Sequence, residues 1–270
     1  MIKFTTENHQ YKSIDPNEDI NWLSVTKFIA LFKPKFDEVT ASEKASKNKK
    51  SKWYGIPPVE IRNIWEKEKD RSISTGSFYH EQREIDVLGV DSIKRNGIDL
   101  PIFAPIIQDN IKYAPTQRLV QGIYPEHLAY LKSAGICGQA DRIEVFADVV
   151  DVFDYKTNKE IKKEGFRKYD GTVDKMYGPC AHLDDCNYSH YSLQLSVYMY
   201  MILKHNPNLK PGKLVLQHVK FKKERDDEYG YPIYFKDSNG DPVVHEVVQY
   251  DVPYLEKEVI GMINHLKLNK

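Results

Sequence analysis

The N-terminal third of the chain spaces its hydrophobic residues in the manner of short helices. Residues 1–23 are expected to be extended or irregular, and Ser24 is a candidate N-cap of a helix that Pro34 ends. Apolar side chains recur every three or four positions in two further segments. This spacing predicts one helix that begins at Pro57-Pro58 and a second helix over 74–88.

The central part of the chain changes to the spacing of strands. Short strands are expected within 97–115, followed by a strand over 118–124 and a short helix over 125–134. Two runs rich in Val, Ile and Phe, at Ile136–Phe146 and 149–155, predict the two arms of a β-hairpin.

A polar insert over 157–187 separates this hairpin from the C-terminal part of the chain. A helix is expected over 188–203, followed by three strands, over 213–222, 231–236 and 243–250. A final amphipathic helix is expected from about residue 253. Helices before and after a central group of strands predict an α/β fold, in which a central mixed β-sheet is flanked by helices. The sequence contains no internal repeat, so one domain is expected.

Composition and charge exclude several classes of protein. Hydrophobic residues make up 41% of the 270 residues, as in a globular protein, and the net charge of zero excludes a purely electrostatic DNA-coating protein. Three cysteines, an odd and small number, argue against a disulfide scaffold and favour a reducing compartment. The polar N-terminus and the lack of a long apolar run predict a cytoplasmic protein with no membrane segment.

Acidic and basic residues stand on the two arms of the predicted hairpin. Gly138 precedes Asp141 on the first arm, and Asp154, Tyr155 and Lys156 close the second. Because side chains alternate along a strand, Asp154 and Lys156 point to one side, and Asp141 can lie beside them. Two carboxylates and a backbone carbonyl suit Mg²⁺, and a nearby lysine can stabilise charge on a phosphate. A surface salt bridge is the alternative interpretation.

Two pairs of polar residues are spaced four apart, so each pair shares one face of a predicted helix. His80 and Glu84 follow Gly76, and an imidazole with a carboxylate can complete a metal site. Gln194 and Tyr198 lie on the helix after the polar insert, where an amide and a phenol can hydrogen-bond to DNA. Ordinary polarity of a helix surface is the alternative for both pairs.

Taken together, these motifs resemble those of the RecB-type branch of the PD-(D/E)XK nucleases. The resemblance covers residues 20–205 and rests on four patterns in order: G-x-x-x-H-x-x-x-E from Gly76, G-x-x-D from Gly138, D-x-K at Asp154 and Q-x-x-x-Y from Gln194. It implies a PD-(D/E)XK restriction-endonuclease-like core with the site at the sheet edge. The single nuclease domain would comprise an N-terminal helical and basic extension (1–56), the motif-bearing core (57–206), and C-terminal strands with a helix (207–270).

The resemblance also implies a role for individual residues. It implies that Mg²⁺ or Mn²⁺ is held by His80, Asp141, Asp154 and the Tyr155 carbonyl. It implies catalytic roles for Asp141, Asp154, Lys156 and Glu84, and contacts with DNA by Gln194 and Tyr198. Some members of the branch hold an iron–sulfur cluster through four cysteines, three of them near the C-terminus. This chain has three cysteines and none after Cys186, so no iron–sulfur cluster is expected.

The polar insert contains a pattern that competes as a metal site. Four potential zinc ligands fall within a short segment: Cys180, His182, Cys186 and His190. Zinc binds Cys and His tetrahedrally, but this spacing fits no common zinc finger. A loop that positions the following helix is the preferred interpretation.

The leading functional hypothesis is a Mg²⁺- or Mn²⁺-dependent DNase, an exonuclease that acts on DNA ends or single strands. Relatives of this kind work in phage or bacterial replication, recombination or DNA processing, so proteins of those processes are expected partners, in the host cytoplasm for a phage protein. The alternatives are a non-catalytic or virion-associated DNA-binding protein with a nuclease fold, and a structure-specific endonuclease. Residues 41–52 predict a basic loop or exposed helix that contacts DNA through Lys47, Lys49 and Lys50.

Overall fold

A six-stranded mixed sheet lies at the centre of the computed structural model, which describes residues 1–5, 10–113 and 116–268. The strands are β1 (Ile2–Thr5), β2 (Gln10–Ser13), β3 (Leu23–Ser24), β4 (Ser92–Arg95), β5 (Ile98–Pro101), β6 (Ile106–Gln108), β7 (Ile111–Tyr113), β8 (Gly122–Leu131), β9 (Ile136–Phe146), β10 (Val149–Lys156), β11 (Lys210–Phe221), β12 (Lys223–Asp226), β13 (Pro232–Tyr234) and β14 (Val244–Val252). The helices are α1 (Val25–Ala30), α2 (Glu38–Lys47), α3 (Pro58–Leu88), α4 (Asn187–His205) and α5 (Glu256–Leu268), with a 3₁₀ turn at Gly178–Cys180.

Strand β9 has neighbours along both of its edges. Strand β8 pairs with it antiparallel along one edge, whereas β10 and the short β3 share the other. The central sheet continues from β10 through the parallel β11 to the antiparallel β14. The β9–β10 ladder runs from Phe146↔Val149 to Arg142↔Phe153, so Asp141 and Asp154 are the first residues beyond its end. The two strands diverge from that point.

Helices cover both faces of the central sheet. Val152 and Leu216 face the main core, which α4 fills together with α1 and α5. Tyr155 and Phe221 point to the opposite face, where they pack against Tyr79 of α3. The alternation of faces along β10 and β11 therefore places one helical layer on each side. The expected mixed sheet flanked by helices is confirmed.

Smaller sheets extend this framework. Strands β2, β1, β7 and β6 form a four-stranded antiparallel sheet, and β4–β5 and β12–β13 are hairpins. The turn before α3 meets the β12–β13 hairpin where the rings of Trp53 and Tyr229 stack with centroids 5.6 Å apart. No helix in the described ranges is long and apolar enough to cross a bilayer.

The sequence prediction was wrong for several elements. The helix expected over 125–134 is instead the end of strand β8, which runs from Gly122 to Leu131, and the turn that follows it. This strand is buried on both faces, so its apolar run lacks the alternation that marks a half-exposed strand. The helices expected from Pro57-Pro58 and over 74–88 are one continuous helix, α3, because a single interior glycine such as Gly76 costs only about 1 kcal/mol.

The packing of Gly138 in β9 gives a test of the fold. A Cβ atom at this position would lie 2.9 Å from the Tyr198 ring and 3.0 Å from Val25 Cγ2. Gly138→Ala should therefore lower the free energy of unfolding by about 1–3 kcal/mol in denaturant titrations, because the core must shift to admit a methyl group. Gly76→Ala is the control, since its near neighbour, the Thr157 hydroxyl at 3.3 Å, is a side chain that can move. Equal stability of Gly138→Ala and wild type would contradict this packing.

Candidate active site

Four elements bring polar side chains together where β9 and β10 diverge. Helix α3 supplies His80, and β9 supplies Asp141. Strand β10 supplies Asp154 and Lys156, which point to one side as its alternation predicts, and α4 supplies Gln194. All five are candidate site residues from the sequence, and direct contacts link them in two groups.

The first group joins His80, Asp141 and the backbone of Tyr155. The Tyr155 amide donates a hydrogen bond of 2.6 Å to Asp141 Oδ2. The His80 ring donates through Nε2 to the Tyr155 carbonyl at 3.1 Å, and its Nδ1 lies 3.4 Å from Asp141 Oδ1. Both polar groups of the Tyr155 backbone thus face the space between the diverging strands.

The second group joins Asp154, Lys156 and Gln194. Gln194 Nε2 donates to Asp154 Oδ1 at 3.0 Å, and Lys156 Nζ lies 2.6 Å from Asp154 Oδ2. That ion pair lacks the angular geometry of a hydrogen bond, and within the described part of the chain Oδ2 has no hydrogen-bond partner. Asp154 is 1% exposed, so its second oxygen is buried beside a single cation. The ammonium also lies 4.9 Å from the ring centroid of Tyr191.

Glu126 of β8 joins the first group, although the sequence did not single it out. One possible ligand atom each from Glu126, His80 and Asp141 lies within 4.8 Å of the others, and no other such group of three occurs among the described residues. The mistaken helix over 125–134 hid this residue from sequence reasoning. The signal that could have found it is a carboxylate and a histidine, Glu126 and His127, side by side within an apolar stretch.

Glu84 lies outside this group. It shares a helix face with His80, as predicted, but its Oε1 lies 3.1 Å from the Nζ atom of Lys112 in β7. The same ammonium is 3.8 Å from Glu126 Oε2. The structure therefore pairs Glu84 with a buried lysine, one helical turn beyond the imidazole.

The remaining predicted contacts with DNA divide into buried and exposed residues. Tyr198 is only 4% exposed and packs against Gly138, so little of this side chain reaches the surface, and its predicted hydrogen bond to DNA stays a prediction. That prediction rests on helical spacing and on the motif resemblance, neither of which shows that α4 presses this face against the sheet. Lys47 ends α2, and all three predicted lysines are exposed there or in the turn that follows: Lys47, Lys49 and Lys50.

The candidate zinc ligands have other partners. His182 Nε2 lies 3.1 Å from Glu258, and His190 Nε2 lies 2.7 Å from Asp185. Cys180 and Cys186 are buried, with Cys186 next to the Ser189 hydroxyl at 3.3 Å. The segment leads into α4, as the loop interpretation expects.

Burial and neighbouring charge shift the titration of the site. Burial opposes the charged form of His80, but the Asp141 carboxylate outweighs it and raises the pKa of His80 to about 9. Burial raises the pKa of Glu126 to about 8, with a further contribution from Asp141. Burial also raises the pKa of Asp154 to about 6, although Lys156 opposes the shift.

The pKa of Lys156 is shifted upwards for a different reason. Burial alone would lower it, but the charges of Asp154 and Asp141 outweigh burial and raise the pKa of this ammonium. Lys156 is therefore cationic at neutral pH.

A cleft of 420 Å³ opens onto this arrangement. His80, Tyr155 and Lys156 line its floor, α3 forms one wall, and the loop after β10 and the β12–β13 hairpin form the other. The cleft gives a solute access to both groups.

Comparisons with known proteins do not add to this geometry. The chain matches no protein-family model, no curated protein and no solved structure.

The electrostatics predict how binding of a divalent cation by the first group depends on pH. The pKa of His80 is about 9 and that of Glu126 is about 8, so both carry a proton at neutral pH and must release it to act as ligands. Mn²⁺ affinity should rise by roughly tenfold per pH unit for each proton released. Calorimetry on both sides of pH 8, in buffers of different ionisation enthalpy, measures affinity and proton count together. Affinity that is independent of pH would contradict these shifts.

Proposed function

We propose that the protein is a divalent-metal-dependent DNase with a PD-(D/E)XK core, which hydrolyses DNA phosphodiester bonds at the cleft. One observation carries the proposal. Asp141, Asp154, Lys156 and His80 come from three separate elements and converge at the end of the β9–β10 ladder. A surface salt bridge, the alternative from the sequence, does not account for a lysine side chain that is only 18% exposed beside aspartate side chains that are 2% and 10% exposed.

The donor set fits a hard divalent cation. Adjacent ligands of an octahedral Mg²⁺ are about 3 Å apart, and His80 Nε2 lies 3.1 Å from the Tyr155 carbonyl. Among the described residues, Asp154 Oδ2 has no hydrogen bond and contacts only the Lys156 ammonium, so this oxygen is a further possible ligand of a cation. The ion, Mg²⁺ or Mn²⁺, would be held by His80, Asp141, Asp154 and the Tyr155 carbonyl. When bound, it would lower the pKa of a coordinated water and neutralise charge on the scissile phosphate.

The chain's own residues would do the remaining work. The ammonium of Lys156 remains charged and faces the cleft, so it would stabilise negative charge that develops on the phosphate. Gln194 fixes one oxygen of Asp154 and leaves the other directed at Lys156. Tyr191 lies beside the ammonium and donates its hydroxyl to Asn158 at 2.6 Å, which restricts where the lysine can move.

A second groove favours DNA ends or single strands as the substrate. This groove of 930 Å³ is lined by residues before α2, by the polar insert and by the start of α4. Phe36 and Phe166 are about three-quarters exposed there, beside Lys33 and Lys35, in a groove whose lining has five basic and four acidic side chains. Exposed rings among cations suit stacked bases and a phosphate backbone. The groove reaches His190, one helical turn from Gln194, so it leads towards the proposed catalytic cleft.

Lys156→Ala tests the proposed chemistry. We expect cleavage of end-labelled DNA in Mg²⁺ to slow at least about a hundredfold, because the charge beside the phosphate is lost, while DNA binding persists. Lys210→Ala is the matched control, since Lys210 pairs with Asp148 on the surface at the opposite end of β10. The assay should use single- and double-stranded substrates blocked at either end, together with closed circular DNA.

Each outcome of that assay is informative. Cleavage by Lys156→Ala at the wild-type rate would overturn the mechanism. Wild-type protein that binds DNA but yields no product in Mg²⁺ or Mn²⁺ would favour a non-catalytic DNA-binding protein. Cleavage of the closed circle would show an endonuclease instead of an exonuclease.

The exposed lysines at the end of α2 give a separate test of DNA binding. Reversal of charge at Lys47, Lys49 and Lys50 should weaken binding and reduce the slope of log affinity against log salt by about one for each of these lysines that binds a phosphate in the wild type. A matched reversal of three exposed lysines elsewhere, Lys210, Lys213 and Lys257, should leave both quantities near the wild-type values. Unchanged affinity of the first variant at low salt would show that DNA does not pass this surface.

A further inference from the structure

Glu126 has a backbone conformation that is unusual for its place in the fold. Its φ is +48° in the middle of β8, a left-handed conformation that is unfavourable for residues with a Cβ atom. The other described non-glycine residues with positive φ all lie in turns, at Asn96, Asp109, Asn110 and Ala147. Glu126 is also 7% exposed, so a strained residue here carries a buried carboxylate.

The distortion involves two strands at one level. The β8–β9 ladder pairs Pro125 with Arg142 and His127 with Ala140, and it omits the pair between them, Glu126 and Asp141. The alternation of side chains between the two faces of the sheet also breaks at this point, in both strands. In β8, Tyr124 and Ala129 both face the main core, and in β9 so do Ala140 and Ile143, although regular alternation would put the members of each pair on opposite faces.

The distortion brings two carboxylates to the same place. The ligand atoms of Glu126, Asp141 and His80 lie within 4.8 Å of one another. Lys112 offers Glu126 only part of a counter-charge, because its ammonium is 3.8 Å from Glu126 and 3.1 Å from Glu84. Local strain of this kind persists only where the surrounding structure over-determines it, and such residues cluster at functional sites. Two carboxylates that lie together with little exposure to solvent repel each other, and a cation between them relieves that repulsion.

We propose that Glu126 is a further ligand of the divalent cation. The left-handed backbone conformation at this position of β8 directs the Glu126 side chain towards His80 and Asp141. This inference rests on the proposed metal-dependent function and adds a carboxylate to the four groups named for it. The motif resemblance assigns no role to this strand.

Two substitutions separate ligation from strain. Glu126→Gln keeps the size of the side chain but cannot ionise to a carboxylate, whereas Glu126→Gly removes the side chain and suits the left-handed conformation. We expect Mn²⁺ affinity, measured by calorimetry, to fall at least about tenfold in both variants. We also expect Glu126→Gly to melt in EDTA at or above the wild-type temperature and to lose most of the Mn²⁺-dependent rise in melting temperature.

Glu144→Gln is the matched control. Glu144 is a partly buried carboxylate three residues beyond Asp141 on β9, paired with Arg95 and Arg142 away from the cleft. Its loss should leave Mn²⁺ affinity within about twofold of wild type, because it is not a ligand. Diffraction from wild-type crystals soaked in Mn²⁺ tests without any substitution whether Glu126 is a ligand. We expect an anomalous peak with a Glu126 carboxylate oxygen bound to it.

The outcomes separate this inference from the proposed function. Wild-type Mn²⁺ affinity in Glu126→Gln, or an anomalous peak with Glu126 turned to Lys112, would overturn the inference and leave the nuclease proposal standing. In that case Glu126 is a counter-ion of Lys112. A wild-type protein that binds no Mn²⁺ and cuts no DNA would overturn both.

Discussion

The hydrogen bond from the Tyr155 amide to Asp141 Oδ2 is the interaction on which the candidate site depends. The backbone ladder between β9 and β10 ends at Phe153, two residues before Tyr155, so a side chain takes over the role of a strand partner. Because the amide must be satisfied, the Asp141 carboxylate is fixed beside β10. The same arrangement presents the Tyr155 carbonyl to His80. Continuation of the ladder would fill this space with backbone and leave no room for a site.

The site divides its carboxylates between two different environments. Asp141 belongs with His80 and Glu126 on the side of β8 and α3, whereas Asp154 belongs with Lys156 and Gln194 on the side of α4. The contacts that hold Asp154 in place, with Lys156 and Gln194, therefore all lie on the side of α4. Charge in the first group is balanced by an imidazolium, and charge in the second by an ammonium, so the two sides respond differently to pH.

The sequence predicted those parts of the fold and site that depend on local spacing. The β9–β10 hairpin, α4 and the common face of Asp154 and Lys156 all follow from a periodicity of two or of about 3.6 residues. Strand β8 was not predicted, because burial on both faces removes the alternation of polar and apolar residues. Glu126 was missed for the same reason, because it lies in this strand. The left-handed conformation of that residue has no local sequence signal such as glycine. The burial of Tyr198 depends on Gly138, sixty positions earlier, which only the folded structure brings into contact.

The length of α3 has a mechanical consequence for the cleft. Its 31 residues form a rod of about 46 Å. Buried residues anchor it near its start, at Ile61, and in its C-terminal half, at Tyr79 and Val87, while the stretch between them forms one wall of the cleft. Arg62 near the start of α3 donates a hydrogen bond of 2.9 Å to the hydroxyl of the buried Ser42 in α2. The stacked rings of Trp53 and Tyr229 tie the turn before α3 to the β12–β13 hairpin, so the two walls of the cleft are braced against each other and keep the imidazole at a constant depth.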